Sequence, residues 1–304
     1  MDIERLTRRE ATRLMLVGGL YTAANPIDAA AQYSQSLSAA CTPNLRQVRN
    51  GAIHPMEYLS EKERCMPEII AAKRSGELGG ILYEPTDQEV EAVLRQSISK
   101  KIQDPDRIAQ LVRANMESYL TDKSKERIIA KITPSVKAVF GEGHPHYIII
   151  TGNLTGFEGI VNDEDVHSVL RHELEHITDY YHGIRFGDMR LSFSTLMGKP
   201  VSADFMHHLL EVRATYKELK SAFYQKINQG KSLVSPRWLG HQSRYYTESW
   251  NYLKQNAQSD VEREISKLQL DEVKGIMPEM SNGALYLTFN LFGKKERLRI
   301  ISAK

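Results

Sequence analysis

His172, Glu173 and His176 stand in the run His172-Glu173-Leu174-Glu175-His176, the most chemically loaded spacing in the chain. On an α-helix, residues four apart lie one turn above the other on the same face, so the two imidazoles can share one cation. Glu173 falls about 100° round from His172, beside such a cation and not on it, where a carboxylate can take a proton from water. Two imidazoles with carboxylate oxygens suit zinc, whose tetrahedral coordination leaves one position for water. The predicted chemistry is metal-assisted hydrolysis, with His172 and His176 as ligands and Glu173 as general base. So short a pattern arises by chance in on the order of one chain in a hundred of this length. Its surroundings decide.

The elements that must position these residues are legible nearby. Asn162 is a helix N-cap, Asp163, Glu164 and Asp165 put negative charge in the first turn, and Gly183 is a stop. At 100° per residue Val166, Leu170, Leu174, Ile177 and Tyr181 share an apolar face, while Arg171, Glu175 and His182 fall on the opposite, solvated side. His172 and His176 lie on the border between core and solvent, where a catalytic metal is both anchored and wet.

A metal also needs a third protein ligand. Glu211, 35 positions after His176 (211 − 176), lies in a stretch whose Phe205, Leu209, Val212 and Tyr216 fall on one side of a second helix. Packed antiparallel on the first, that helix would point Glu211 at the two imidazoles. Glu218, two turns further along the same face, is the alternative. Within the motif helix, His182 points away. Asp179, seven residues after His172, suits a hydrogen bond behind a ligand histidine better than ligation.

These residues resemble the gluzincin class of zinc peptidases, in which HExxH on one helix is joined by a glutamate from a later one. His172 to Gly183, HELEHITDYYHG, is similar to the active-site helix of thermolysin-like enzymes. The longer interval to Glu211 and its Glu-Val-Arg-Ala start are more similar to the lethal-factor type. The resemblance covers residues 140 to 220. In thermolysin-like members an aspartate four residues after the ligand glutamate orients a ligand histidine. Here that position is Thr215, and the expectation is that Asp179 takes the role. The resemblance also implies a sheet beside the active-site helix whose edge strand pairs with an extended peptide. His146 to Thr151 has strand composition, and serves equally well as a buried core strand. Oxyanion stabilisers of this class are tyrosines or histidines; His207, His208, Tyr216, Tyr245 and Tyr246 all stay open.

The expected architecture is a predominantly helical α+β protein. A helical portion spans 32–135, and a zincin-like catalytic portion with a small sheet spans 136–304. In the first, residues 32–60 read as polar loop and Thr86 with Glu89 forms a capping box opening a helix to Lys101. Pro105 begins another to Tyr119, and a third runs from Ser124 to Ile132. In the second, the Glu211 helix continues to Gly230 and Ser235 to Gly240 reads as a loop. A long helical region covers 241–275, and strands over 284–291 and 297–301 form a terminal hairpin.

Residues 1–31 read as a signal peptide. Arg8-Arg9 and Arg13 precede the apolar Leu14 to Ala24 and then Ala29-Ala30-Ala31, so cleavage leaves Gln32 first. The paired arginines resemble a twin-arginine signal, with Ala11 and Thr12 where that signal has Phe-Leu. An exported, periplasmic or extracellular location follows, in which Cys41 and Cys65, the only cysteines, form one disulfide. Net charge is +2, with no Lys/Arg cluster interleaved with aromatics, so nothing supports nucleic-acid binding. No apolar run reaches membrane-spanning length once the signal is removed. The reading is a zinc metallopeptidase acting on a peptide or protein. The alternatives are a zinc amidase on cell-wall or other non-protein material, and an inactive zincin-like binding protein.

Overall fold

The computed structural model describes residues 44–100, 102–125, 146–150, 154, 159–186, 189–191, 201–229, 232–272, 276–282, 284–291 and 294–301. The signal-like segment, Cys41 and most of the helix expected over 124–132 lie outside them. The described chain is predominantly helical α+β and divides into two compact units, Tyr33–Phe157 and Glu158–Lys304. Among the described residues no helix is long and apolar enough to cross a membrane.

In the N-terminal unit the loop expected before residue 60 is replaced by helices. α1 (Leu45–Arg49) starts where the Asn44 side chain accepts the Gln47 amide and the Gln47 side chain returns the bond to Asn44. α2 (Pro55–Cys65) starts at a proline in its first turn, with the His54 ring accepting the Met56 amide. Both are start signals that a polar composition hides. α3 (Pro67–Arg74) follows. Cys65, at the end of α2, is disulfide-bonded.

β1 (Leu78–Tyr83) was not expected, because Gly79 and Gly80 depress strand propensity. It pairs in parallel with β2 (His146–Ile150), from Leu78 against His146 to Tyr83 against Ile150. A parallel pair needs a crossover, and α4 (Asp87–Ser99) and α5 (Pro105–Lys125) lie between the two strands in sequence. The Thr86–Glu89 box opens α4 as expected. Val90, Leu94 and Ile98 of α4 pack with Leu111, Val112 and Tyr119 of α5 and Ile149 of β2. β2 therefore belongs to the N-terminal unit, and the division falls 22 residues later (157 − 135) than the sequence expectation.

The C-terminal unit opens with α6 (Asp163–His182), then the short antiparallel pair β3 (Ile184–Phe186) and β4 (Met189–Leu191). α7 (Ala203–Gln229) and α8 (Pro236–Gln255) follow. α7 packs against both α6 and α8. Phe205, Leu209, Val212, Ala214, Leu219 and Ala222 are buried around several sides of it, not one. The loop expected over 235–240 is the start of α8: Ser235 accepts the Trp238 amide and Pro236 occupies the first turn. The expected long helix is broken at Asn256, and α9 (Asp260–Glu272) resumes after it. The terminal hairpin, β6 (Ala284–Leu291) with β7 (Lys294–Ile301), gains a third antiparallel strand, β5 (Ile276–Ser281).

Candidate metal centre

α6 begins and ends where its sequence says. Asn162 accepts the Asp165 amide at 3.0 Å, and the Asp165 carboxylate accepts the Asn162 amide at 3.1 Å and the Val161 amide at 2.7 Å. Gly183 follows the last turn at φ 76°, a conformation costly for other residues. Val166, Leu170, Leu174 and Ile177 are buried as expected, with Tyr180 in place of Tyr181.

α6 and α7 run antiparallel, and the pairing of their side chains records it. Ser168 and His172 meet Glu218, Glu175 meets Lys217, His176 meets Glu211, and Asp179 meets Arg213. Glu175, expected on the solvated side, is buried, because α7 covers that flank and supplies Lys217. Burial raises its carboxyl, and Lys217 pulls the other way.

His172, Glu173 and His176 offer ligand atoms that all lie within 4.8 Å of one another, a spacing one metal ion can satisfy. The two imidazoles are 4.7 Å apart and perpendicular. Glu211, from α7, faces the same two rings. One of its oxygens is 3.1 Å from His172 Nε2 and the other is 3.5 Å from His176 Nε2. Two donors of a tetrahedral ion lie about 3.4 Å apart when each bond is about 2.1 Å long. Each of the two nitrogens is therefore at ligand spacing from a Glu211 oxygen, and the chemistry of these residues fits a divalent metal.

Glu218 faces the other side of the same ring. Its Oε1 lies 2.6 Å from His172 Nδ1, while Oε2 accepts Ser168 Oγ at 2.6 Å and Trp238 Nε1 at 3.0 Å. Glu218 thus contacts the nitrogen of His172 that faces away from Glu211, and Glu211 is the one of the two placed as a candidate ligand to an ion on Nε2. Asp179 does not hold that position. Both its oxygens are taken by Arg213, Nε at 2.9 Å and Nη2 at 3.1 Å, a two-pronged clamp between helices. Thr215, where thermolysin-like chains have the orienting aspartate, donates to the Glu211 carbonyl at 2.5 Å. The carboxylate found against His172 Nδ1, Glu218, stands seven residues after Glu211. That interval is two helical turns, a signal present in the sequence. Trp238 and Ser168 carried none.

The electrostatics follow from burial and proximity. Burial would lower the His172 imidazole, but Glu211 and Glu218 hold it well above its ordinary value. Burial would raise Glu211, but His176 and His172 hold it well below. Burial pushes the Glu173 carboxyl up to about 7, against the opposite pull of His176 and His172. A carboxyl near neutrality exchanges protons readily in both directions.

Of the open oxyanion candidates, His207 stands beside Glu211. Its Nδ1 is 3.8 Å from Glu211 Oε1, and its Nε2 meets the Tyr245 hydroxyl at 3.4 Å. His208 turns away to stack on Tyr252 and meet Ser249. Tyr246 is buried and stacked on Trp250. Compared with family models, curated proteins and solved structures, the chain gives no match in any of the three.

Proposed function

We propose that this chain is a zinc-dependent metallopeptidase built on a zincin-like pair of helices, with His172, His176 and Glu211 as ligands. The observation that carries the reading is the division of labour around His172. Glu211 reaches Nε2, Glu218 reaches Nδ1, and the Glu173 carboxylate lies within ligand spacing of both imidazoles, so that with Glu211 in the donor set it is left over for proton transfer. A purely structural site has no use for that third carboxylate.

Zinc, when bound, would polarise the scissile carbonyl and acidify an adjacent water. Glu173 takes the proton from the attacking water and passes it to the leaving amine. With its Nδ1–H donated to Glu218, His172 would offer its Nε2 lone pair to a bound ion in place of the contact with Glu211. A disulfide-bonded Cys65 agrees with an enzyme working in an oxidising compartment.

The test is a broad peptide-library digest by wild type and Glu173→Gln, each analysed for metal. The reading expects cleavage by wild type and loss of about 10²–10⁴-fold in the variant, with zinc content unchanged. Wild type that carries zinc but leaves every peptide intact would send the substrate back to a non-protein amide. A Glu173→Gln protein of full activity would remove the base.

A further inference from the structure

We propose that Trp238 and Ser168 are positioning residues for the metal centre: by holding one oxygen of Glu218 they turn the other to His172 Nδ1, and so fix which nitrogen of that imidazole is left for a metal. The inference rests on the zinc reading above.

A glutamate side chain can swing, and a neutral imidazole can carry its proton on either nitrogen. Only one tautomer, with the proton on Nδ1, leaves Nε2 free to ligate. Glu218 selects it when Oε1 stays within reach of Nδ1, where it is found at 2.6 Å. Two donors hold the opposite oxygen, Ser168 Oγ at 2.6 Å and Trp238 Nε1 at 3.0 Å. They come from different helices, α6 and α8, so the carboxylate is gripped from two directions. Ser168, Glu218 and Trp238 are all buried, which removes water as a competing donor.

Trp238 is itself closely fixed. Its amide donates to Ser235 Oγ at 3.2 Å in the first turn of α8. The Ser235 amide donates to Asp165 Oδ1 at 2.7 Å, and the other oxygen of Asp165 accepts the amide of Asn162, the N-cap of α6. The indole lies against Gly159, where a Cβ would come within 3.1 Å of its Cε3. A run of contacts therefore joins the N-termini of α6 and α8 to His172: Asp165, Ser235, Trp238, Glu218. A buried indole N–H ordinarily finds some acceptor. Here the acceptor is the carboxylate that serves a candidate ligand, so the docking of α8 and the binding of metal should be coupled.

Trp238→Phe keeps a ring in the slot and removes only the N–H; Ser168→Ala removes the second donor. Trp250→Phe is the control, since Trp250 is the chain's only other tryptophan and stacks on Tyr246. Zinc affinity is measured by chelator competition on the full chain. The visible spectrum of each protein loaded with Co²⁺ reads the ligand field directly, and circular dichroism of the metal-free proteins checks folding. Trp238→Phe and Ser168→Ala should each weaken zinc binding by about 10–100-fold, the range for partners behind a ligand, and alter the Co²⁺ spectrum. Trp250→Phe should leave both as in wild type. Wild type binding zinc while the two variants match it in affinity and spectrum would overturn the positioning role and leave the zinc reading standing. Wild type binding no zinc would take the reading and the inference down together. Should Trp238→Phe fail to fold, Ser168→Ala alone decides between these outcomes.

Discussion

Two helix pairs in this chain are held in opposite ways. α4 and α5 meet through Val90, Leu94, Ile98, Leu111, Val112 and Tyr119, an apolar cluster with no charge in it. α6 and α7 meet through a seam that buries His172, Glu175, Asp179, Glu211 and Glu218, with Arg213 and Lys217 as countercharges. Desolvating so many ionisable groups costs several kcal/mol per ion before any pairing returns it. A fold that needed only to close would use the first solution. The second fits the proposed metal site, beside which the Asp179–Arg213 and Glu175–Lys217 pairs tie the two helices together.

The comparison can be broken most sharply at Arg213. Arg213→Leu leaves Asp179 buried and unpaired, so it should destabilise the protein by about 3–5 kcal/mol. The double variant Asp179→Leu with Arg213→Leu should recover most of that loss in a thermal or urea melt. Recovery with zinc affinity near wild type would show the clamp to be structural. A double variant no better than the single one would mean that the pair itself supports the seam.

The apolar pair makes the contrary forecast. Leu94→Ala should cost about 2–5 kcal/mol from lost burial and the cavity it leaves, and no partner substitution should rescue it. Zinc affinity of the folded fraction should not change. A drop in affinity would show that the two regions are coupled.

Glu262 sharpens the contrast, being a buried carboxylate with no part in the centre. Its oxygens accept the Ser202 amide at 2.8 Å, the Ser202 hydroxyl at 3.0 Å, and the Gln258 and Ser259 amides at 2.7 and 3.0 Å. Burial would raise its pKa, but these donors lower it below the ordinary 4.5. Glu262→Gln should cost about 1–3 kcal/mol. A depressed carboxyl contributes its stability above the unfolded pKa and loses it as acid protonates the folded form. The gap between wild type and variant should therefore be full above about pH 4.5 and close below it. A gap that widened in acid would contradict this.

What the sequence made legible was local. The caps at Asn162 and Thr86 follow from residue type, and the shared face of His172 and His176 follows from helical periodicity, although His172 is buried where a border with solvent was expected. What it hid depended on partners far along the chain. Glu175 looks solvated on a wheel until α7 arrives with Lys217. Asp179 looks free for a histidine until Arg213 claims both its oxygens. β1, with two glycines in six residues, becomes a strand only because β2 pairs with it. Start signals at Asn44, Pro55 and Ser235 were present in the sequence but outweighed by polar or loop-like composition around them.

The central claim is that Glu211, and neither Glu218 nor Asp179, completes the metal site with His172 and His176. A zinc titration of wild type, Glu211→Ala, Glu218→Ala and Asp179→Ala tests it most directly. Wild type should bind about one zinc per chain. Glu218→Ala should weaken binding by about 10–100-fold, and Glu211→Ala by more than that range, while Asp179→Ala should stay close to wild type. A Glu211→Ala protein that holds zinc as tightly as wild type, beside a Glu218→Ala or Asp179→Ala protein that releases it, would contradict the account.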